Sequence, residues 1–273
     1  SLQSIMLEYK KYSPLNVVIT FTLLTECGTN IFLKSRRAFS CAASLLNSKK
    51  CQVSQIILSE VFNHDKMADS SLITDKYKNK VVSLSKLEFQ NKYQEYRTQG
   101  IIVFFDYEVF SHLPDSINEN ECHLILDSIK DPQNLGQIIR TSECAGIDGI
   151  ILPERRSVSI TSSVLQVSQG SFCNINIIKS KNIKYTIKEL KQNGYWIVGV
   201  ENSIESKLWY DFDLKGKIGF VFGSEGEGIR PVIQKYCDLM LTIPMNGKIN
   251  SLNISATVSA MLFERNRQIL KSK

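Results

Sequence analysis

The residues with chemistry to offer gather in four short segments. Three lie close together near the C-terminus: Gly223-Ser224-Glu225-Gly226-Glu227-Gly228, Ile243-Pro244-Met245-Asn246-Gly247 and Ser251-Leu252-Asn253-Ile254-Ser255. The fourth, Asp131-Pro132-Gln133-Asn134-Leu135-Gly136-Gln137-Ile138-Ile139-Arg140, stands far upstream. Glycines lack Cβ and let backbone amides approach a ligand closely, and Glu225 adds an acceptor. Their order is G-x-x-G-x-G, which is neither the dinucleotide fingerprint nor a phosphate loop with its lysine, and no G-x-S-x-G elbow is present. Taken alone, a tight turn accounts for them. Ile243 and Leu252 offer apolar sides for a flat ring, and the free amides of a helix start offer donors. Asn253 alone reads equally as a helix cap. Arg140, on the polar side of a helix opening at Asn134, is by itself either a solvated arginine or an anion contact. The basic residues Lys34, Arg36, Arg37, Lys49, Lys50, Arg155 and Arg156 fit a phosphate-binding surface or an ordinary solvated face.

The elements that must position these segments alternate. Apolar runs at Cys122–Leu126, 149–152, 174–178, 195–200, Ile218–Phe222 and 239–243 read as strands. Helices are expected at 134–145, 162–169, 183–193 (closed by Gly194), 229–237 and 252–270, the last with Ile254, Val258, Met261, Leu262 and Ile269 on one face. Continuously apolar strands separated by helices imply a parallel sheet covered on both faces. In such sheets ligands bind beyond the carboxyl ends of the strands, which places the three C-terminal segments on one rim. The fold class is α/β: a C-terminal parallel-sheet domain over 121–273, preceded by a smaller α/β unit over 31–106. That unit reads as a helix at 37–46 and strands at 55–58, 81–84 and 100–105. A polar linker occupies 107–120, and residues 1–30 fit neither domain.

Composition removes some classes. The chain has 273 residues, 43% hydrophobic and 22% charged, with net charge +6, which suits a globular protein and permits a nucleic-acid partner without requiring one. Seven scattered cysteines with no C-x-x-C pair, and three histidines without a ligand set, argue against a disulfide framework and a metal site. The apolar run Pro14–Thr25 is too short to span a bilayer; it reads as a buried strand or as the apolar stretch of a signal segment, though no clear small-residue cleavage site follows, and no membrane association is expected. The chain opens at Ser1 rather than Met, which leaves its true start open.

Together and in this order, the segments resemble the SpoU branch of the SPOUT methyltransferases. That family carries N-x-G-x-x-x-R, G-S-E-G-x-G and I-P-M-x-G-x-x-x-S-L-N-x-S. Here they stand as Asn134-x-Gly136-x-x-x-Arg140, Gly223-Ser224-Glu225-Gly226-x-Gly228 and Ile243-Pro244-Met245-x-Gly247-x-x-x-Ser251-Leu252-Asn253-x-Ser255. The likeness covers roughly 120–270. It implies a trefoil knot, S-adenosylmethionine as cofactor, a homodimer, and methylation of a ribose 2′-oxygen in RNA. The smaller domain looks like the L30e-like RNA-binding domain of the family's ribosomal RNA enzymes, with Ser35-Arg36-Arg37 where a Gly-x-His-like turn is usual. Within the family the likeness points to the enzymes that methylate a guanosine ribose in bacterial large-subunit ribosomal RNA.

The resemblance also distributes roles. Gly223, Ile243, Leu252, Met245, Val200 and Glu201 would surround the cofactor. Arg140, supplied across the dimer, would clamp the target phosphate and stabilise the developing oxyanion. Ser251 and Asn253 would hold the ribose, and Asn134 and Glu225 would orient Arg140 and the loops. Arg36, Arg37, Arg155 and Arg156 are the expected RNA contacts. The alternatives are a transfer RNA ribose methyltransferase of the same family, a non-catalytic RNA- or ribosome-binding module, and a nicotinamide-dependent oxidoreductase whose glycine order this chain lacks. The bacterial cytoplasm is the expected setting, with an organelle left open.

Overall fold

The computed structural model describes residues 16–20, 43–62, 73, 75–93, 100–107, 109–110, 112–114, 119–202 and 207–272. They divide into two compact units, Ser1–Glu108 with Ile160–Asn174, and Val109–Ser159 with Ile175–Lys273.

The first unit holds a four-stranded sheet built from β1 (Asn16–Thr20), β2 (Cys51–Ser59), β3 (Val81–Leu84) and β4 (Ile101–Tyr107), in the order β1-β4-β2-β3. β4 runs antiparallel to both β1 and β2, while β2 and β3 are parallel. β1 falls in the stretch that the sequence reading left outside both domains. Its partner is more than eighty residues away in sequence, so no local turn signal announces the pairing. Helix α1 (Lys86–Tyr93) opens with a capping box: Glu88 N–H donates to Ser85 Oγ at 3.2 Å, and Ser85 N–H to Glu88 Oε2 at 3.1 Å. Of the helix expected at 37–46 the described part, 43–46, is helical, and the helix runs one residue further, to 47.

Ile160–Asn174 groups with this unit although it lies in sequence between strands of the other. It contains α2 (Ser162–Ser168), capped by Thr161, and a 3₁₀ turn at Ser171–Cys173. Phe172 gives the physical reason. Its fully buried ring stacks on Phe105 at 6.0 Å and meets Tyr107 edge-on at 5.2 Å, and Tyr107 Oη donates to the Phe172 carbonyl.

The second unit is a seven-stranded parallel sheet flanked by helices. Its strands are β5 (Cys122–Leu126), β6 (Gly149–Pro153), β7 (Asn176–Ser180), β8 (Trp196–Val200), β9 (Lys207–Leu208), β10 (Ile218–Phe222) and β11 (Leu239–Thr242), in the order β7-β6-β5-β10-β8-β11-β9. β5 and β10 are buried at every residue, as strands covered on both faces must be. Helix α3 (Pro132–Cys144) begins two residues earlier than the sequence reading put it. The Asp131 carboxylate accepts from the Gln133 amide, and Pro132 occupies the first turn, where its missing N–H costs nothing. Helix α4 (Ile183–Gln192) is capped by Asn182 and followed by Gly194 at φ 83°. Helix α5 (Pro231–Gln234) is shorter than the 229–237 expected, because Ile229 and Arg230 are held in the loop before it.

Helix α6 (Ile254–Lys271) buries Ile254, Val258, Met261 and Leu262 of the expected face, leaves Ile269 half-buried, and packs against α3. Its far end is fixed by the buried Arg265, whose Nη2 donates to the carbonyls of Asn120 at 2.8 Å and Gly216 at 2.9 Å. Asn266 Nδ2 donates to the Ala145 carbonyl and Gln268 Oε1 accepts the Leu214 amide, beside apolar burial worth on the order of 25 cal/mol per Å² removed from water. Among the described residues no helix is long and apolar enough to cross a membrane, and no group of three His, Cys, Asp or Glu is placed to hold a metal ion.

Candidate active site

The chain runs outward from β5 through β6 to β7, then returns to β8, and β10 inserts between β5 and β8. The strand order therefore reverses at β5 and β10, which opens a crevice at their carboxyl ends. All three C-terminal motif segments begin or end on this rim, and α3 begins there too.

The loop leaving β10 folds back on its own base. Ser224 and Gly228 exchange two backbone hydrogen bonds of 3.0 Å, and Glu227 N–H donates to Ser224 Oγ at 3.3 Å. A Cβ at Gly223 would lie 1.9 Å from the Gly228 carbonyl carbon, and one at Gly228 (φ 65°) would lie 2.7 Å from Glu201 Oε1. These two glycines are thus dictated by close approach. A Cβ at Gly226 would meet nothing within 4 Å, so that position lies bare at the tip. A hollow of about 170 Å³ lies against the loop, lined by Ile129, Lys130 and Ser224–Glu227.

A hydrogen-bonded chain joins the motifs. Asn134, in the first turn of α3, donates through Nδ2 to Glu225 Oε1 of the glycine loop. Its Oδ1 accepts from Asn253 Nδ2 at 3.0 Å. Asn253 caps α6 by accepting the Ser255 amide at 2.9 Å. Ser255 Oγ lies 2.6 Å from Asn253 Oδ1 and 2.8 Å from Gln137 Oε1; its single proton serves one of them at a time. Three segments separated by up to 119 residues thereby share one network.

Residues 121–263 match the profile of the SpoU rRNA Methylase family, which is more than half of the chain. The chain belongs to this family. A provisionally named TrmH family tRNA/rRNA methyltransferase of Staphylococcus saprophyticus is 40% identical over 161 residues, 59% of this chain and 64% of that protein. The match therefore spans just under two thirds of that relative. Among solved structures, the SpoU methyltransferase AviRb from Streptomyces viridochromogenes, in complex with the cofactor AdoMet, superposes with TM-score 0.72 at 16% identity, over 85% of this chain and 89% of that one. That likeness shows a shared fold. The TrmH/SpoU tRNA modifying enzyme of A. aeolicus aligns with TM-score 0.52 at 27% identity, over 57% and 78%.

Within this SpoU domain the expected site residues fall as follows. Gly223, Glu225, Asn134 and Asn253 are brought together. Glu201 follows β8 directly, and its Oε2 accepts from the Ile229 amide at 3.1 Å and Gln234 Nε2 at 2.9 Å; Val200, beside it, is buried. Ile243 and Met245 are half-buried just beyond β11, while Ser251 and Leu252 are exposed, Leu252 to 46%. Arg140 is half-buried toward the far end of α3, and its guanidinium has no hydrogen-bond or ion-pair partner among the described residues. Arg155 and Arg156 are exposed in the loop after β6, Arg156 at φ 67°. Arg36 and Arg37 lie outside the described residues.

Sequence reasoning missed Asp127, Arg230 and Asn202. Asp127 was signalled by its place, an acid directly after the apolar Leu124-Ile125-Leu126 of β5. Arg230 doubles onto Asp127 through Nε and Nη2, the latter at 2.6 Å, which keeps the guanidinium pKa above its ordinary value. Asn202 accepts from Thr242 Oγ1 at 3.2 Å and donates to the Asn250 carbonyl at 2.8 Å, so one amide holds both ends of the Ile243–Asn250 loop.

Proposed function

We propose that this chain is an S-adenosylmethionine-dependent RNA methyltransferase acting on a ribose 2′-hydroxyl, that of a guanosine in large-subunit ribosomal RNA. The observation that carries the reading is the Glu225–Asn134–Asn253 network, which joins the three family motifs at one rim of a SpoU domain.

The residues fit such a cofactor. The backbone at Gly226 is bare and can approach a ligand closely, and the hollow there, lined by Ile129, Lys130 and Ser224–Glu227, lies on the same rim as the other motif segments. Gly223, Ile243 and Leu252 would hold it chiefly through backbone groups, with Met245, Val200 and Glu201 around it. The cofactor supplies a methyl group already activated on a sulfonium. What remains for the protein is alignment of a weak nucleophile and easing the loss of its proton. Arg140, reaching across a homodimer, clamps the target phosphate and stabilises the negative charge developing on the 2′-oxygen. A guanidinium stays protonated in proteins, so it acts here as a cation rather than as a base. Ser251 and Asn253 hold the ribose, while Asn134 and Glu225 fix the geometry of the loops. A knotted C-terminal domain, an L30e-like first unit and RNA contacts from Arg36, Arg37, Arg155 and Arg156 belong to the same reading.

Ribosomal RNA is preferred over transfer RNA because the alignment with the A. aeolicus tRNA modifying enzyme covers only 57% of this chain. That enzyme matches little more than half of this chain, and the first unit, with its own four-stranded sheet, is read as an added RNA-binding domain. The test is nucleoside analysis after methylation with labelled cofactor. A ribose methyl protects the adjoining phosphodiester from alkali, so label is expected in alkali-resistant dinucleotides. Label confined to bases would contradict the proposal.

A further inference from the structure

Two carboxylates flank the root of the glycine loop. β10 lies between β5 and β8, and each neighbour ends one residue before an acid, Asp127 after Leu126 and Glu201 after Val200. The two residues that leave the loop each give a backbone N–H to one of them: Ile229 to Glu201 Oε2 at 3.1 Å, Arg230 to Asp127 Oδ2 at 3.2 Å. The loop is thus gripped from both sides by the strands adjacent to its own.

On one side the grip is doubled. Arg230 Nε lies 3.0 Å from each oxygen of Asp127, and Nη2 lies 2.6 Å from Oδ1. The Asp127 side chain is 0% exposed and that of Arg230 29%. A carboxylate withdrawn from water this completely is costly unless it is paired and hydrogen-bonded. Here one arginine satisfies it with both its backbone and its fork, so the chain cannot leave this position without exposing an unpaired buried charge.

Within the loop the Ser224–Gly228 pair, the Ser224 Oγ contact and the Asn134–Glu225 hydrogen bond add to this grip, but its three glycines leave a wide conformational range to be lost on ordering, which the fixed root narrows. A ligand meeting a loose loop must supply that ordering free energy from its own binding; one meeting a fixed loop need not.

We infer that Asp127 and Arg230 are positioning residues that hold the Gly223–Gly228 loop in its cofactor-binding shape and thereby set cofactor affinity rather than the rate of methyl transfer. This rests on the function proposed above.

The test uses the full chain with Arg230→Lys and Asp127→Asn, and Arg267→Gln as a control that removes an ion pair on α6 whose arginine is 48% exposed. Lysine keeps the charge but loses the planar fork. Calorimetry should show S-adenosylmethionine binding weakened about tenfold in both variants and unchanged in the control. The kcat at saturating cofactor should stay within about twofold of wild type, because only uniform binding has been lost. Amide exchange at Gly228, Ile229 and the residue at 230 should accelerate. A purely structural role would lower the melting temperature and the active fraction while leaving Kd and loop exchange of the folded protein unchanged, and that result would overturn the inference. If wild type itself fails to bind the cofactor, the proposed function falls and the claim on affinity falls with it. Exchange then still decides whether the pair holds the loop.

Discussion

Asn253 Nδ2 donates to Asn134 Oδ1 across 3.0 Å, and so ties the cap of α6 to the first turn of α3, 119 residues earlier. Each asparagine also has a second duty, Asn134 to Glu225 and Asn253 to the Ser255 amide. A carboxamide carries two donor hydrogens and an acceptor oxygen on separate atoms without charge, which suits a relay between two loops and a helix start.

Alanine at either position should therefore cut turnover by about 10²-fold, and the double variant should lose much less than the product, since residues in one network couple by about 0.5–3 kcal/mol. Asn253→Ala should in addition lower stability by about 1 kcal/mol through its lost cap. Single-turnover rates and denaturant unfolding on the four proteins check both statements. Multiplicative losses would dissolve the network.

Arg140→Ala should reduce kcat by about 10²–10³-fold, the scale of a lost charge-stabilising donor, while cofactor affinity measured by calorimetry stays near wild type. Arg140→Lys should recover little, because a point ammonium cannot reproduce two parallel hydrogen bonds. Undiminished turnover in Arg140→Ala would remove Arg140 from the mechanism.

Gly223→Ala should destabilise the fold by about 3 kcal/mol or prevent folding, in keeping with severe overpacking. Its new methyl would sit 1.9 Å from the Gly228 carbonyl carbon, where backbone on both sides cannot yield. Gly226→Ala, with open space around it, should fold with near-normal stability. Thermal melts of the two variants separate a packing glycine from one left bare for a ligand.

The base of the sheet predicts a pH dependence. Burial holds the His123 imidazole below its ordinary pKa, even with Glu121 3.8 Å away. The unfolded chain takes up this proton near pH ~6.5 while the folded chain does not. Stability is therefore unaffected above that pH and declines as pH falls below it, by at most about 1.4 kcal/mol per pH unit. Asp148 is shifted up, first by its own burial. It opposes this trend in a more acidic window, between its ordinary value and its raised one, where the folded state holds the extra proton. Denaturant unfolding from pH 7.5 to 5.5 should show a shallower slope in His123→Gln than in wild type. Equal slopes would mean that His123 titrates alike in both states.

Much of the second unit was legible because its strands are short apolar runs bounded by polar turns, and the bounds of β5 and β10 were read residue for residue. The motif loops followed, since parallel strands place their carboxyl ends on one rim. What escaped depends on distant partners. β1 becomes a strand only beside β4, β9 is two residues long, and Ile160–Asn174 joins the first unit through Phe172. Helix α1 buries only Phe89, so it lacked a periodic signature, although Ser85-x-x-Glu88 marked its start. The Asp127–Arg230 pair was invisible for the same reason as β1: neither residue identifies the other across 103 positions.

The most direct measurement is methyl transfer from labelled S-adenosylmethionine to unmodified large-subunit ribosomal RNA and, separately, to unmodified transfer RNA, with Arg140→Ala run beside wild type. The account predicts wild-type label on a guanosine ribose of ribosomal RNA, and almost none with the variant. Label on transfer RNA alone would keep the chemistry and overturn the substrate. Cofactor binding without label on either RNA, or label undiminished in Arg140→Ala, would contradict the account.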